Sequence, residues 1–214
     1  MQKSLFNNID FRNIDCVGFD LDGTLYDEKL FVEQVYKQIS NLYNIPKLYE
    51  FMINRWNEKG SSYPHIYEEC YKKYNLELNN ISCENFIDNC LKIYRNYRPI
   101  LQLSKNTLSF LEYCKNNFKT FLITDGTIST QKNKINSLDV EKYFDFKIFS
   151  NDYKTSKDNI ILKDIIDFSC KRVIYFGDRN VDKVFAEKNG FEFIKVKNME
   201  DVNAKNISSN RYSF

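Results

Sequence analysis

The stretch Val17–Leu25, VGFDLDGTL, ends an apolar run with two carboxylates. Asp20 and Asp22 are one residue apart, and like charges so close together repel each other. Neither side chain fits an apolar core without compensation. We therefore expect this stretch to be a buried strand that leads directly into a site for a positively charged partner.

Five short runs rich in β-branched and aromatic residues predict the strands of a sheet. They are IDCVGFD (14–20), TFLITD (120–125), FKIFSN (146–151), RVIYFGD (172–178) and FEFIKV (191–196). Helical periodicity fills the intervals at 104–117, where Ser104 is a capping residue, and at 127–144 and 158–168. Strand, helix and strand repeated in this order predict an α/β fold with a mainly parallel sheet and helices on both faces.

Residues 28–99 differ from the rest because they carry helical patterns and no strand run. The patterns fall at ISNLYN, FMINRWNE, HIYEECYKKYN and CENFIDNCLKIYRNY. A chain of 214 residues is long for one domain and short for two. We therefore predict a core domain formed by residues 1–27 and 100–214, with a small all-helical domain inserted at 28–99.

The composition indicates a globular protein with a small partner. Hydrophobic residues make up 43% of the chain, and 31 basic against 29 acidic residues leave a formal charge of +2, so no large field recruits nucleic acid or a membrane surface. The six cysteines include no CxxC pair, which favours reduced thiols. No signal-peptide core and no run of roughly 18 apolar residues is present. We expect a cytoplasmic protein, and the sequence gives no indication of its oligomeric state.

Polar residues follow four of the five predicted strands. They are Asp20 and Asp22 after the first run, Thr124 and Asp125 after the second, Asn151 and Asp152 after the third, and Gly177 and Asp178 after the fourth. Ligands of open parallel sheets bind beyond the carboxyl ends of the strands. The sequence therefore predicts a ligand site at this edge of the sheet.

Four aspartates, Asp20, Asp22, Asp178 and Asp182, would repel one another at this edge without a cation. Carboxylate oxygens with no nearby His or Cys suit Mg²⁺, which usually shares its site with a phosphate. The phosphate needs further donors, and the Thr124 hydroxyl, backbone N–H groups of the glycine-containing turns and a lysine can supply them. We therefore expect a Mg²⁺ site that takes a small phosphorylated metabolite.

Metal binding alone does not explain two carboxylates one residue apart. Asp20 held against a phosphorus atom is a competent nucleophile and would form an aspartyl-phosphate, which divides the transfer into two easier steps. Asp22 could protonate the leaving alcohol and then deprotonate the attacking water. The two acids would then have different functions in one phosphoryl transfer.

Three motifs resemble, in order and spacing, those of the haloacid dehalogenase-like hydrolase superfamily. They are Asp20–Thr24, Thr124–Gly126 and Gly177–Asp182. The resemblance covers residues 14–196. It implies a Rossmann-like three-layer core, Mg²⁺-dependent phosphoryl transfer, and a helical cap in the insert that follows the first motif.

The resemblance also implies a role for each aspartate by its position. Asp20 resembles the nucleophile, and Asp22 resembles the general acid/base, whose backbone carbonyl oxygen would also reach the metal. Asp178 resembles a metal ligand. Asp182 resembles either a further ligand or a support for one.

Phosphate binding is implied for Thr124 and Asp125 of the second motif and for a lysine of the third. In the family that lysine precedes a proline near the start of the helix before the fourth motif, whereas this chain offers Lys154 and Lys157 and no proline. Lys154 lies 24 residues before Asp178, which fits the usual spacing slightly better. We therefore favour Lys154 and keep Lys157, at the predicted helix start, as the alternative.

The motifs together predict a phosphatase that acts through a phosphoaspartate on Asp20. A phosphosugar mutase with the same core residues, and a non-catalytic binding or regulatory protein of the same fold, stay open as alternatives. A dehalogenase is disfavoured because a departing halide needs no proton, and because dehalogenases related to this family lack the second aspartate, here Asp22.

Overall fold

Five parallel strands form one sheet in the computed structural model, which describes residues 9–76, 81–167, 169–197 and 199. The strands are β1 (Cys16–Phe19), β2 (Lys119–Thr124), β3 (Phe146–Phe149), β4 (Val173–Gly177) and β5 (Glu192–Lys195). Each overlaps one of the five runs that the sequence predicts as strands. The expected α/β fold with a parallel sheet is confirmed.

The strand β1 lies at the centre of the sheet, whose strand order is β3-β2-β1-β4-β5. The chain moves from β1 through β2 to β3 on one side and then crosses to β4 and β5 on the other. Both neighbours run parallel to β1, with Phe19 in register with Leu122 and Phe176. All four residues of β1 are buried, as expected for an apolar run in a central parallel strand.

Seven α-helices lie in the described ranges. They are α1 (Lys29–Tyr43), α2 (Pro46–Lys59), α3 (Ile66–Lys73), α4 (Cys83–Asn96), α5 (Lys105–Asn117), α6 (Ile128–Leu138) and α7 (Asn180–Lys188). The chain divides into two units: the sheet unit comprises Met1–Asp27 and Gln102–Phe214, and the helical unit comprises Glu28–Leu101. None of the helices in the described part of the chain is long and apolar enough to cross a membrane.

Helices α5 and α7 pack on opposite faces of the sheet. The Phe110 ring of α5 lies 5.5 Å from the Phe176 ring of β4, and the Phe185 ring of α7 lies 5.0 Å from the Tyr175 ring of β4, measured between centroids. Successive side chains of a strand point to opposite faces, so these contacts place one helix on each side. The sheet unit therefore has the three layers expected of a Rossmann-like core.

The helical unit contains α1–α4, and each of its predicted helical patterns is confirmed. Phe31, Val35 and Ile39 are buried along one face of α1, at the spacing of an amphipathic helix. Ser82 caps α4 by accepting a hydrogen bond from the backbone N–H of Asn85 at 3.2 Å. Apolar patterning thus explains α1, and a side-chain cap helps to fix the start of α4.

The prediction of an α-helix at 158–168 is wrong. In its place, the described part of this segment forms two short 3₁₀ turns, Lys157–Asn159 and Leu162–Asp164; position 168 lies outside the described residues. The Asn189 side chain accepts a hydrogen bond from the Leu162 N–H at 2.7 Å and donates one to the Ile160 carbonyl at 2.9 Å. An α-helix would use these two backbone groups internally, so Asn189 competes with helix formation.

The helical pattern at 127–144 is also interrupted. The helix α6 ends at Leu138 because Asp139 adopts a left-handed backbone with φ of 51°, and the 3₁₀ turn Glu141–Tyr143 follows. Aspartate tolerates this conformation better than most residues do. The pattern therefore corresponds to one α-helix and a separate turn.

Gly18 in β1 allows two aromatic rings to meet across the central strand. Gly18 is in register with Phe121 of β2 and Tyr175 of β4, and these two rings stack with centroids 6.0 Å apart. A Cβ atom at position 18 would lie 2.1 Å from the Phe121 ring. The packing also fixes Tyr175, whose hydroxyl donates a hydrogen bond to Asp182 at 3.1 Å.

Gly18→Ala is expected to lower the free energy of unfolding by about 1–3 kcal/mol, because the added methyl group overpacks the Phe121 ring. Urea unfolding measures this loss. Phe121→Leu makes room for the methyl group, so the double variant should lose less than the sum of the two single losses. A loss below about 0.5 kcal/mol for Gly18→Ala would contradict the tight packing described here.

Candidate active site

The carboxyl ends of β1, β2 and β4 bring the predicted polar residues to one edge of the sheet unit. Asp20 follows β1, Thr124 ends β2, and Asp178 follows β4. The strand order reverses at β1, and such switch points are where open α/β sheets bind ligands. Asn151 and Asp152, after β3, are exposed.

Lys157 joins two of the predicted acids. Its Nζ donates hydrogen bonds to Oδ1 of Asp20 and, at 2.6 Å, to Oδ1 of Asp182. The three side chains are at most 1% exposed. The hydroxyl of Thr24 donates a hydrogen bond to the other oxygen of Asp20, Oδ2, at 3.0 Å. Both oxygens of Asp20 are thus held, which fixes the orientation of its carboxylate.

The structure places Lys157, the alternative lysine, against the aspartates, and it does not place the favoured Lys154 there. Lys154 is exposed, and its left-handed backbone, with φ of 53°, ends the 3₁₀ turn Ser150–Tyr153. The chain returns to the edge of the sheet three residues later, where Asp125 Oδ1 accepts a hydrogen bond from the Lys157 backbone N–H at 2.9 Å. This local turn, which the spacing in the sequence does not reveal, decides which lysine enters the site.

Asp182 supports Lys157 from the first turn of α7. Its Oδ1 also accepts the hydrogen bond from Tyr175, and its Oδ2 accepts one from the Arg179 backbone N–H at 2.9 Å. A Cβ atom on Gly177 would lie 2.4 Å from the Asp182 Cβ, so the glycine makes room for this side chain. Asp182 is therefore hydrogen-bonded through both oxygens and holds the lysine in place.

The carboxylates of Asp20, Asp178 and Asp182 form an acidic cluster, in which one oxygen from each residue lies within 4.8 Å of the others. Asp178 Oδ1 is buried and accepts no hydrogen bond from the described residues, although Arg179 Nε lies 3.7 Å away. Burial raises the pKa of Asp178 to about 6. Burial also raises the pKa of Asp20, and Lys157 opposes that rise. A hard divalent cation would stabilise such clustered oxygens.

Asp22 directs its carboxylate into a different set of contacts. Lys134 Nζ lies 2.8 Å from each carboxylate oxygen, the Tyr26 hydroxyl donates to Oδ1, and Gln131 Nε2 donates to Oδ2 at 3.0 Å. Burial alone would raise the pKa of Asp22, but Lys134 and these hydrogen bonds outweigh it and lower the pKa. We name Asp22, Tyr26, Gln131 and Lys134 the Asp22 cluster; its carboxylate is not part of the acidic cluster.

Asp125 connects the two clusters. Its carboxylate holds the Lys157 backbone, and its carbonyl oxygen accepts a hydrogen bond from Gln131 Nε2. The Thr124 hydroxyl is buried and donates a long hydrogen bond of 3.4 Å to the same carbonyl oxygen. The Asp125 carboxylate is therefore committed to the backbone, and a phosphate contact from this residue would use its N–H group.

The sequence motifs do not mark Tyr26, Gln131 and Lys134, which contact the Asp22 carboxylate. A signal was present for two of them, because positions 131, 134, 135 and 138 form the buried stripe of α6 at helical spacing. Gln131 and Lys134 therefore lie where apolar side chains are expected. Tyr26 offered no comparable signal, since it follows the first motif within an irregular stretch.

Known proteins similar to this chain belong to the family that the three sequence motifs resemble. A model of the haloacid dehalogenase-like hydrolase family matches residues 17–196. The chain is 25% identical to the glyceraldehyde 3-phosphate phosphatase of Pyrococcus furiosus over 191 residues, which cover 83% of this chain and 78% of the relative.

Many solved structures share the fold, among them two hydrolases of this superfamily. A haloacid dehalogenase superfamily hydrolase from Geobacter sulfurreducens has a TM-score of 0.66 at 16% identity, covering 86% of this chain and 87% of that one. The L-2-haloacid dehalogenase of Xanthobacter autotrophicus has a TM-score of 0.58 at 18% identity, covering 86% and 77%. At these identities, the structural similarity supports the fold alone.

The parallel sheet and the carboxylates clustered at its carboxyl edge define an α/β protein with an acidic ligand site. The chain belongs to the haloacid dehalogenase-like hydrolase family, because the family model spans most of its length. The resemblance that the three sequence motifs indicate is therefore confirmed.

Lys157→Met should lower the free energy of unfolding by about 3–5 kcal/mol, because it leaves two buried carboxylates without their cation. Urea unfolding of the metal-free protein measures this loss. Lys154→Met is the matched control: its side chain is exposed, and its loss should stay within about 0.5 kcal/mol. Equally small losses in both variants would mean that Lys157 does not hold the acidic cluster together.

Proposed function

We propose that the protein is a Mg²⁺-dependent phosphatase that hydrolyses a small phosphorylated metabolite through a phosphoaspartate on Asp20. The observation that carries this proposal is the buried Asp20 carboxylate, which Lys157 and Thr24 orient at the switch point of the sheet. A carboxylate held in this way is a competent nucleophile. The similarity to a phosphatase of a three-carbon phosphate ester supports a small phosphorylated substrate.

The donor set of the acidic cluster fits Mg²⁺. Side-chain oxygens of Asp20 and Asp178 and the backbone carbonyl of Asp22 would hold the ion, with Asp182 behind them. The fit rests on the buried Asp178 oxygen that accepts no hydrogen bond from the described residues and on the all-oxygen chemistry of the cluster. When bound, the cation would supply positive charge that stabilises the phosphoryl oxygens during transfer.

The side chains account for each bond that forms or breaks. One oxygen of Asp20 would attack phosphorus as the ester P–O bond breaks, and the leaving oxygen would take a proton from Asp22. Lys134 favours the ionised form of Asp22 in the free protein, so this step requires that substrate binding raise the pKa of Asp22. Asp22 would then take a proton from water, whose oxygen attacks the same phosphorus. The bond from phosphorus to Asp20 would break and release inorganic phosphate. Lys157 and the Thr124 hydroxyl would offset the charge and donate hydrogen bonds to phosphate oxygens.

The contacts around Asp22 favour ester hydrolysis over dehalogenation. A departing alkoxide needs a proton, whereas a departing halide needs none. Lys134, Gln131 and Tyr26 all contact the Asp22 carboxylate, so the structure holds this second acid in one orientation. A second, oriented acid beside Asp20 suits ester hydrolysis, whereas halide displacement does not require one.

We also propose that the helical unit is the cap of this enzyme. The helical unit begins at Glu28, shortly after the first motif. One subgroup of the family carries its helical cap at this place, between the first and second motifs. A cap that excludes water during transfer to Asp20 and admits it afterwards would gate turnover.

Release of inorganic phosphate from a panel of small esters tests the proposed function. The panel contains 4-nitrophenyl phosphate, sugar phosphates, nucleotides and glyceraldehyde 3-phosphate, each with Mg²⁺ and with a chelator. We expect Asp20→Asn to lower kcat by at least about a thousandfold, because an amide cannot form the phosphoaspartate. Asp152→Asn, at an exposed carboxylate, is the matched control and should keep the parent activity.

Activity that survives Asp20→Asn or complete chelation would contradict the proposed mechanism. A folded protein that binds Mg²⁺ but releases phosphate from no ester would favour a phosphosugar mutase or a non-catalytic binding protein instead.

Mg²⁺ binding provides a test that does not depend on turnover. Asp178→Asn should weaken binding by at least about tenfold in calorimetry, since it removes a ligand, and Asp152→Asn should not change it. For the parent protein, affinity should fall as the pH drops below about 6, because the raised pKa of Asp178 lets protons compete with the cation. Binding that is unchanged by Asp178→Asn would place the cation elsewhere.

A further inference from the structure

The segment that leads out of the helical unit, residues 97–101, is extended. Tyr97, which follows the last residue of α4, has a φ of −60° and a ψ of 135°. Pro99 restricts the residue before it to an extended backbone as well. The side chain of Ile100 is 83% exposed, whereas its neighbours Pro99 and Leu101 are buried. The segment thus presents the backbone groups of Ile100 as an edge strand does.

Gln34 of α1 takes the place of a neighbouring strand. Its Oε1 accepts a hydrogen bond from the Ile100 N–H at 2.9 Å, and its Nε2 donates one to the Ile100 carbonyl at 2.9 Å. The same Nε2 donates another, also of 2.9 Å, to the Leu30 carbonyl in the first turn of α1. An amide side chain has one acceptor oxygen and two N–H donors, so each of these groups has a partner here. Gln34 therefore joins the start of α1 to a segment that lies 66 residues further along the chain.

These hydrogen bonds lie where the chain enters and leaves the helical unit. The chain passes between the two units twice, after Asp27 and after Leu101. We name residues 28–31 the entry connection and residues 97–101 the exit connection. Gln34 contacts the backbone of both connections.

The entry and exit connections also touch through their side chains. The buried Phe31 ring meets the Tyr97 ring edge-on, with centroids 6.2 Å apart. The two connections are thus joined by an apolar contact and by the hydrogen bonds of Gln34.

The hydrogen bonds of Gln34 add little to the stability of the fold. They lie at the surface, where water would serve the Ile100 backbone almost equally well. Fixing a long side chain such as that of glutamine also costs conformational entropy. The main effect of these contacts is to restrict the backbone of one connection relative to the other. Such a restriction matters most at a hinge, which consists of a few loop or helix-terminal residues.

We propose that Gln34 is a positioning residue that ties the entry and exit connections together, so that both bend as one hinge when the helical unit opens and closes. This inference rests on the proposed phosphatase function and on the proposed role of the helical unit as its cap. Gln34 acts through the connections and not on the reacting atoms. By limiting the conformations of the connections, it raises the fraction of molecules in the state that binds substrate. The apparent affinity for substrate rises with that fraction.

Gln34→Met tests this role, because methionine has a similar length but makes none of the three hydrogen bonds. For the panel ester that the parent hydrolyses fastest, we expect KM to rise by at least about fivefold. The value of kcat should change by less than about twofold, since the contacts of Asp20 and Asp22 are untouched. A general loss of folding would lower kcat as well, so the split between KM and kcat separates the two explanations.

Hydrogen exchange measures the tie without turnover. The Ile100 amide should exchange at least about fivefold faster in Gln34→Met than in the parent, because its acceptor is gone. Gln38→Met is the matched control, since Gln38 is exposed one turn further along α1. Neither KM nor the exchange of the Ile100 amide should change in this control.

Faster exchange with an unchanged KM, or a fall in kcat without a rise in KM, would overturn the positioning role while leaving the phosphatase function intact. Unchanged exchange in Gln34→Met would show that Gln34 does not hold the exit connection, which overturns the tie itself. A parent protein that hydrolyses no ester of the panel would overturn the proposed function, and this inference with it.

Discussion

The structure of the site depends on one interaction, the contact of the buried Lys157 with Asp20 and Asp182. It joins the end of the central strand, the first turn of α7 and the loop after β3. A single lysine cannot neutralise two buried carboxylates, and Asp178 adds a third at the same edge. The remaining negative charge makes the edge a place where a cation is stabilising, because burial already disfavours the ionised forms. Fold stability and ligand binding therefore share the same electrostatic constraint.

The two carboxylates of the first motif would repel each other, and two separate lysines compensate their charges. Each lysine comes from a different segment, and each contacts its own acid. If one cation served both, Asp20 and Asp22 would have similar environments. Instead the pKa of Asp20 is raised by burial, while that of Asp22 is lowered by Lys134 and its hydrogen bonds. The two acids of the first motif therefore lie in different electrostatic environments, although only one residue separates them.

The sequence predicts the sheet well because apolar runs and their polar ends are local features. It fails where distant side chains decide the backbone. Asn189 takes the hydrogen bonds of the segment predicted to be a helix at 158–168, and it lies beyond the next strand. The choice between Lys154 and Lys157 depends on a left-handed residue that no motif marks. The burial of Lys134 could have been predicted from the helical spacing of α6, and a buried lysine requires an acidic partner in the core.

The described contacts to both carboxylates of the first motif come from the sheet unit alone. Thr24 and Lys157 hold Asp20, and Tyr26, Gln131 and Lys134 hold Asp22, all within this unit. The aromatic packing over Gly18 extends the same rigid framework to Tyr175 and so to Asp182. The contacts that orient Asp20 and Asp22 in the described residues are therefore properties of the sheet unit. Under the proposed function, the sheet unit would carry the phosphoryl-transfer residues, and substitutions in the helical unit would leave the contacts of these residues unchanged.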